Sequence, residues 1–341
     1  MALKLFGVAL AALAVSAVTA RVSAAEISGA GATFPYPIYA KWAATYRGVS
    51  GTSLNYQSIG SGGGIAQIKA KTVTFGASDM PLKPKEQEAA GLTMFPTVIG
   101  AEVIIYNVSG IPSNTLVLDG ATIADIYMGR VAKWNDAAIK KLNPSLNLPN
   151  MPITVVHRSD GSGTTFIFAN YLSKVSKEWA ANIGAGTAVD WPVGVGAKGN
   201  EGVAGNVAQI AGSIGYVEYA YAMQSHLRYT KLKNHDGQIV SPTMASFKAS
   251  ASHADWDHAD HFYMILTDQP GAESWPIENP TFILMHKQPS DPAASAEALT
   301  FFKWAYEQGD RMAENLLYIP LPDTVVRKIE ASWKQIQGFR Q

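Results

Sequence analysis

The chain has 341 residues, of which 47% are hydrophobic and none is cysteine. Without cysteine, a disulfide scaffold, a thiolate metal site and a lipidated cysteine are all excluded. Basic and acidic residues number 27 each, and this balance provides no basic surface for nucleic acid or for an anionic membrane.

The first 25 residues have the pattern of a secretory signal peptide. Lys4 precedes the apolar run LFGVALAALAVSAV, and the small residues Ser23 and Ala25 follow at the positions expected before a cleavage site. The run is too short to span a membrane comfortably, so we predict export to the periplasm and no direct membrane anchor. Cleavage after Ala25 would leave a chain that begins with Glu26, with 25 basic and 27 acidic residues and a net charge of −2.

Beyond residue 25, short β-rich runs alternate with segments of helical periodicity, which is typical of an α/β fold. The length favours two structural units. The predicted strands cover residues 53–59, 74–79, 101–108, 153–157, 213–221 and 282–287. The predicted helices cover residues 36–47, 63–70, 121–128, 163–174, 201–211, 295–308 and 322–336. Aromatic residues recur on one face of the first of these helices, so we assign them to the core.

Three predicted helices have a hydroxyl-bearing residue at or before their start. Thr33 stands before a helix opened by Pro35 and Pro37, while Ser61 and Ser162 are the predicted N-caps of the next two. A helix N-terminus presents unpaired N–H groups and a positive dipole end, and it therefore binds oxyanions without a lysine. One such segment alone is more often an ordinary capped helix, but three together favour an anion site.

Arg158 and Asp79 each stand at the end of a predicted strand. The planar guanidinium of Arg158 can donate two parallel hydrogen bonds to an oxyanion. On local sequence alone, a surface ion pair with Asp160 is an equal alternative. For Asp79, the ordinary interpretation of the local sequence is a turn residue or a helix cap.

Motifs for enzymatic chemistry are weak. Neither Ser61 nor Ser162 lies in a G-x-S-x-G element, and the chain has no P-loop motif. The run GVGAKG at 194–199 matches the dinucleotide fingerprint, but the strand before it is short and an exported protein has little access to NAD. His253, His258 and His261 are not spaced to share one helix face, so we expect a solvated segment. We predict no catalytic residue, no metal and no cofactor.

Seven segments occur in order along almost the whole chain after residue 25. They are GAGATFP, YQSIGSGGG, FGASDMPL, FPTVIGAEV, DGSGTTF, GYVEYAYA and WPIENPTFILMHK. This series resembles the periplasmic phosphate-binding proteins of high-affinity phosphate ABC importers. The resemblance implies a two-lobed periplasmic solute-binding fold, with a ligand cleft between lobes joined by crossover strands. The first lobe would comprise residues 26–106 and 277–341, and the second, inserted lobe residues 107–276.

The same resemblance implies phosphate ligands from both lobes. The first lobe would supply Ala32, Thr33, Phe34, Ser61 and Asp79. The second would supply Arg158, Ser162, Gly163 and Thr164. A carboxylate at position 79 can only accept a hydrogen bond, so it requires a ligand that keeps a proton, as phosphate does and sulfate does not. His157 stands where another arginine is common in this family, and we leave it out of the site.

What the resemblance implies about function is non-catalytic capture of inorganic phosphate. A periplasmic monomer would deliver the phosphate to inner-membrane permease subunits and their ATPase. Two alternatives stay open at this point. One is a secreted phosphatase with the same anion pocket, although the usual metal ligands and a serine with an evident base are missing. The other is a receptor for a different oxyanion, such as sulfate or molybdate.

Overall fold

A computed structural model describes residues 26–339, so the predicted signal segment lies outside the described residues. The strands are β1 Glu26–Gly31, β2 Ser53–Ser58, β3 Phe75–Ser78, β4 Leu92–Tyr106, β5 Val117–Leu118, β6 Thr154–Arg158, β7 Val195–Ala197, β8 Ser213–Glu218, β9 Arg228–Tyr229, β10 Lys231–Lys233, β11 Ile239–Val240 and β12 Glu278–His286. The helices are α1 Tyr36–Ser50, α2 Ser61–Lys69, α3 Pro84–Ala89, α4 Gly120–Tyr127, α5 Ala137–Leu142, α6 Gly163–Val175, α7 Lys177–Asn182, α8 Gly199–Gln209, α9 Tyr219–Gln224, α10 Met244–Ala251, α11 Pro292–Gln308, α12 Asp310–Asn315 and α13 Asp323–Ser332. Short 3₁₀ turns cover Asp260–Phe262 and Trp333–Gln335. Between residues 26 and 339, no helix combines the length and the apolar character needed to cross a membrane.

The strands form a nine-stranded sheet and a small three-stranded one. The order in the large sheet is β2-β1-β3-β12-β4-β8-β6-β7, with β9 also paired to β4, and the small sheet has the order β11-β10-β5. Strand β1 is parallel to β2 and β3, and β6 is parallel to β7 and β8. Parallel strands connected through helices are the arrangement that the alternating sequence pattern predicted.

Two long buried strands connect the halves of the large sheet. Strand β12 pairs antiparallel with β4, from Glu278 opposite Ala101 to His286 opposite Leu92. Strand β4 then continues beyond Ala101 and pairs with β8 over residues 102–106. The chain therefore forms two α/β lobes, and β4 contributes to the sheets of both.

The N-terminal half of β4 was missed in the sequence, where the predicted strand began at residue 101. Pro96 and Gly100 both disfavour a central strand. The structure accommodates Pro96 at a bulge, where the register with β12 shifts between Thr281 and Phe282. A bulge interrupts the ladder of hydrogen bonds, so it tolerates a residue that lacks an N–H group.

Two other predicted elements end earlier than expected. The strand predicted over 213–221 ends at Glu218, because the carboxylate of Glu218 accepts the N–H of Ala220 at 2.9 Å and caps α9. The helix predicted over 322–336 ends at Ser332 and continues as a 3₁₀ turn. The aromatic residues predicted as core in α1 are buried as expected, with Trp42 only 2% exposed.

Candidate anion-binding site

The segment between β1 and α1 presents backbone donors. Among the described residues, the N–H groups of Thr33 and Phe34 have no hydrogen-bond partner. The N–H of Ala32 differs, because it donates to the carbonyl oxygen of Ala77 at 2.9 Å. Two of the three predicted backbone donors are therefore available, and the amide of Ala32 is already used within the first lobe.

Ser61 is the first residue of α2 and not its N-cap, which corrects the prediction. Gly60 occupies the cap position with a φ of 90°, in the left-handed region that favours glycine. The hydroxyl of Ser61 is turned toward Asp79: its Oγ accepts the Asp79 N–H at 3.1 Å and lies 3.4 Å from Oδ2. The start of α2 and the end of β3 thus form one polar cluster.

Asp79 is a buried carboxyl held by residues of β12. Its Oδ1 accepts the hydroxyl of Thr281 at 2.6 Å, and its backbone oxygen accepts the side-chain amide of Asn279 at 2.8 Å. Burial raises the pKa of Asp79 to about 7, against the smaller lowering effects of the Thr281 hydrogen bond and the Arg158 charge. The carboxyl therefore changes protonation state near neutral pH.

Arg158 brings a fixed cation from the second lobe. Its Nε donates to Asp160 Oδ1 at 2.7 Å, its Nη2 donates to the other carboxylate oxygen, and its Nη1 donates to Thr164 Oγ1 at 3.2 Å. The pairing with Asp160 was one of the two predicted alternatives, but the guanidinium does not lie on the surface, since the side chain is 1% exposed. Burial by itself would raise the pKa of Asp160, and the bonds and charge of Arg158 outweigh it and lower that pKa. Asp160 stays ionised and orients Arg158.

The start of α6 lies against the cluster from the first lobe. Ser162 is the N-cap as predicted, and its Oγ accepts the N–H of Thr165 at 2.9 Å. A Cβ added to Gly163 would lie 2.3 Å from both Asp79 Oδ2 and Ser61 Oγ. Because such a contact is impossible, only glycine lets the start of α6 approach the carboxyl so closely.

Two residues that the sequence analysis missed join the lobes at Thr33. Asn200 in α8 donates from Nδ2 to the hydroxyl oxygens of Thr33 at 2.7 Å and of Thr164 at 3.0 Å. Tyr221 in α9 donates its hydroxyl to the backbone oxygen of Thr33 at 2.6 Å. Neither carries a local sequence signal: Asn200 follows a weak glycine motif, and Tyr221 stood in a segment predicted as strand.

Glycine backbone also connects the lobes. The N–H of Gly62 donates to the carbonyl oxygen of Gly161 at 2.9 Å. A Cβ on Gly60 would lie 2.4 Å from Asp160 Oδ2. With the contacts of Asn200 and Tyr221, these features define a closed arrangement of the two lobes.

Two buried glutamates face each other where β4 meets β8. Glu102 and Glu218 are directly opposite in the register, and burial raises the pKa of each well above its usual value. Glu218 accepts the hydroxyl of Tyr318 at 2.9 Å. Neither carboxyl oxygen of Glu102 has a hydrogen-bond partner within residues 26–339, so this side chain is buried in its neutral form.

The weaker motifs do not form the sites that they resemble. In GVGAKG, β7 lies inside the motif instead of before it, and the N–H of Gly199 donates to Asp160 at 3.1 Å. His157 stacks on Trp191, with 4.8 Å between ring centroids, and burial lowers its pKa. Within the described part of the chain, no three His, Cys, Asp or Glu residues are grouped to hold a metal ion, and His258 instead contacts Asp255.

Two lobes with shared crossover strands, and anion donors contributed by each, define a two-lobed solute-binding protein. The model of the PBP superfamily domain matches residues 16–308. The chain belongs to the PstS family of phosphate-binding proteins, as its relatives show. It is 54% identical over 308 residues to PstS of Xylella fastidiosa strain 9a5c, covering 90% of this chain and 85% of that protein. It is 52% identical to PstS of Pasteurella multocida, covering 91% and 90%, and 34% identical to PstS of Methanocaldococcus jannaschii, covering 87% and 82%.

Solved structures share the fold at low identity. A soluble ancestral variant of the human phosphate-binding protein superposes with a TM-score of 0.73 at 20% identity, covering 93% of this chain and 99% of that one. A phosphate-binding protein of Stenotrophomonas maltophilia gives a TM-score of 0.66 at 18% identity, covering 93% and 100%. The predicted fold class is confirmed.

Proposed function

We propose that the protein binds inorganic phosphate between its lobes and delivers it to the permease of an ABC importer. The observation that carries the proposal is the buried Asp79, an acceptor placed among donors from both lobes. A carboxylate in that position penalises an anion without a proton, because its lone pair would face a like charge with no hydrogen bond. The names of the PstS relatives support phosphate as the ligand.

We assign the phosphate contacts to donors at the meeting point of the lobes. Three of the five N–H groups of Arg158 are used by Asp160 and Thr164, which leaves two for an oxyanion. The N–H groups of Thr33, Phe34, Gly163 and Thr164 add neutral donors, as do the hydroxyls of Thr33, Ser61, Ser162 and Thr164. Ala32 contributes through backbone shape only, since its N–H is bonded to Ala77.

Closure of the lobes is the conformational step that capture requires. Thr33, Ser61 and Asp79 lie in one lobe, and Arg158 and Thr164 in the other. Only the closed arrangement therefore offers the full set of contacts to the anion. The shared strands β4 and β12 support lobe limits of 26–106 with 277–341 and of 107–276.

The remaining assignments concern location and partners. We assign residues 1–25 to a cleaved signal peptide and place the mature protein in the periplasm as a monomer. Its macromolecular partners are the permease subunits and their ATPase. A structural neighbour described as a high-affinity periplasmic phosphate-binding protein supports this location. Intact-mass measurement of the exported protein is expected to give a chain that begins with Glu26.

Binding without turnover is also part of the proposal. The candidate nucleophile Ser162 has its oxygen engaged by the N–H of Thr165, and the relatives are named as binding proteins. We expect no sustained hydrolysis of a chromogenic phosphate ester. Turnover that Ser162→Ala abolishes would instead establish a phosphatase.

Calorimetry on protein freed of phosphate by unfolding and refolding tests the proposal directly. We expect tight binding of phosphate and a preference over sulfate of at least about tenfold at pH 8, where Asp79 is ionised and requires a ligand proton. No phosphate binding, or equal affinity for sulfate, overturns the proposal.

A further inference from the structure

The hydroxyl oxygens of Thr33 and Thr164 each receive two hydrogen bonds from the protein. Thr33 Oγ1 accepts the side-chain amide of Asn200 at 2.7 Å and its backbone N–H at 3.3 Å. Thr164 Oγ1 accepts the same side-chain amide at 3.0 Å and Nη1 of Arg158 at 3.2 Å. Because a hydroxyl oxygen has two lone pairs, the acceptor capacity of both threonines is filled. Their O–H groups are left to donate elsewhere.

The orientation of the Asn200 amide follows from its third partner. Its Oδ1 accepts the backbone N–H of Glu218 at 2.9 Å. Exchanging the oxygen and nitrogen would place an NH₂ group against that N–H and an oxygen between the two threonines. Asn200 is fully buried, so no solvent would compensate for the exchange. The NH₂ group must therefore face Thr33 and Thr164.

We propose that Asn200 is a positioning residue that makes Thr33 and Thr164 hydrogen-bond donors toward the bound phosphate. This inference rests on the proposed function. Thr33 belongs to the first lobe and Thr164 to the second. The side-chain amide of Asn200 in α8 therefore sets the hydrogen-bonding direction of one hydroxyl from each lobe. An open cleft separates Thr33 from Asn200 and frees its hydroxyl to rotate. The donor set is completed only when the lobes close.

The substitution Asn200→Asp tests the polarity, because the two side chains have the same shape and opposite hydrogen-bonding character. The introduced carboxylate accepts from both threonines and turns their lone pairs toward the anion. We expect phosphate affinity to fall by at least about 100-fold at pH 8, against about tenfold for Asn200→Ala, which only removes the donors. Asn206→Asp, on the same helix and half-buried, is the matched control and is expected to bind as the unmodified protein does.

The pH dependence separates reversed polarity from a damaged fold. Protonation removes the charge of the introduced carboxyl, so the affinity of Asn200→Asp relative to the unmodified protein is expected to recover as the pH is lowered. A merely structural defect gives a ratio that does not change with pH. Equal losses for Asn200→Asp and Asn200→Ala, with a pH-independent ratio, overturn the inference.

A second comparison decides the matter if Asn200→Asp fails to fold, as judged by circular dichroism. In a Thr33→Val/Thr164→Val background, Asn200 has no hydroxyl to orient. There we expect Asn200→Ala to change phosphate affinity by less than about twofold, instead of the roughly tenfold loss expected with the hydroxyls present. A full tenfold loss in that background overturns the inference. Failure of the unmodified protein to bind phosphate is a different result, and it overturns the proposed function instead.

Discussion

The carboxyl of Asp79 lies between the hydroxyls of Ser61 and Thr281, and burial raises its pKa to about 7. Above that pH the group is an acceptor, matched to an anion that still carries a proton. Below that pH the protonated carboxyl is itself a donor, matched to an anion that carries no proton. In the proposed site, a single titration at this residue would therefore connect pH to the choice of ligand.

We expect sulfate to bind more tightly as the pH falls from about 8 to about 5.5, because Asp79 gains a proton that it can donate. Phosphate is expected to change less, since it provides the missing proton when Asp79 is ionised. Calorimetry at constant ionic strength measures both. A sulfate affinity that stays flat across this range contradicts the assignment.

Asp79→Asn is expected to reduce the preference for phosphate over sulfate by at least about tenfold and to remove its pH dependence, because an amide can donate to either anion. Asp119→Asn makes the same chemical change at the N-cap of α4 and is the matched control. Unchanged discrimination in Asp79→Asn would show that another group selects the ligand.

Several residues of the candidate site could be proposed from local chemistry, and others only from the fold. Arg158 is a cation at the end of a strand and Ser162 is a helix N-cap, and the sequence indicates both features. The role of Asp160 was ambiguous, because the local sequence is the same whether its ion pair with Arg158 lies on the surface or is buried and orients the guanidinium. Asn200 had no signal at all, since its role depends on α8 reaching two threonines that lie far from it in the chain.

The start of α2 approaches the second lobe through a glycine, so the contact is between backbone atoms. A Cβ on Gly62 would lie 3.0 Å from Gly161 Cα and 3.3 Å from its oxygen. Since the obstructing atoms belong to backbone, a side chain at position 62 pushes the two segments apart by a few tenths of an ångström. Close approach of these two segments therefore favours glycine on α2.

Gly62→Ala is expected to have opposite effects on the fold and on binding. Alanine favours a helix over glycine by up to ~1 kcal/mol, so the ligand-free protein should melt no lower. Steric overlap of about 1–3 kcal/mol in the closed form should weaken phosphate binding about 5- to 150-fold. Gly205→Ala in α8, where nothing lies within 4 Å, controls for helix propensity. Undiminished phosphate affinity in Gly62→Ala would mean that the lobes close without this contact.

The junction of β4 with β8 contains the opposed glutamates. Burial raises the folded-state pKa of Glu102 well above its usual value, so folding takes up a proton there. The corresponding stability is present below the unfolded-state pKa and is lost as the pH rises through the folded-state pKa.

Glu102→Gln is therefore expected to flatten the dependence of the melting temperature on pH and to raise stability on the alkaline side. Thermal unfolding at several pH values measures this. Glu273→Gln, at an exposed position, should leave the pH profile unchanged. An identical alkaline loss in the protein and in Glu102→Gln would rule out this residue as its source.

Strand prediction was most reliable where the local pattern was uninterrupted. The short strands β2 and β6 were located to within a residue or two. Strand β4 was half missed, because Pro96 and Gly100 look like breakers until the bulge opposite β12 is known. Whether such a segment forms a strand depends on pairing partners that are distant in the chain, and local propensity gives no information about them.

At the scale of the whole molecule, hydrogen bonds across the cleft stabilise the closed arrangement of the lobes. Gly62, Asn200 and Tyr221 supply hydrogen bonds across the cleft, and an anion bound by Arg158 and Thr33 would add several more. The proposed ligand is thus expected to shift the population toward the closed form.

Small-angle scattering is expected to give a larger radius of gyration for phosphate-free protein than for protein saturated with phosphate. Sulfate at the same concentration and pH 8, where Asp79 is ionised, should leave the radius nearer the phosphate-free value than phosphate does. Equal radii in all three states would mean that the lobes are held closed without a ligand.

The two-lobed plan itself was inferred from the ordered series of family segments, since composition contains no linker that marks a lobe boundary. The sequence did contain the two apolar runs that became β4 and β12. Their extended, apolar character made them plausible paired crossover strands, although composition alone did not establish the pairing, and the structure pairs them over the whole of β12. The two strands lie about half the chain apart in sequence, so their pairing is determined by the topology of the fold and not by local sequence.

The position of β12 in the sheet has a consequence for the order of folding. This strand lies between β3 and β4, yet its first residue is Glu278 of 341. A chain that emerges from its N-terminus onward leaves the first lobe's sheet divided until that residue has been synthesised. Pairings of such high sequence separation form slowly, because the intervening chain must be ordered first. The nascent chain is accordingly expected to stay incompletely folded for most of its synthesis, which would suit the export proposed above, since an exported polypeptide crosses the membrane before it folds.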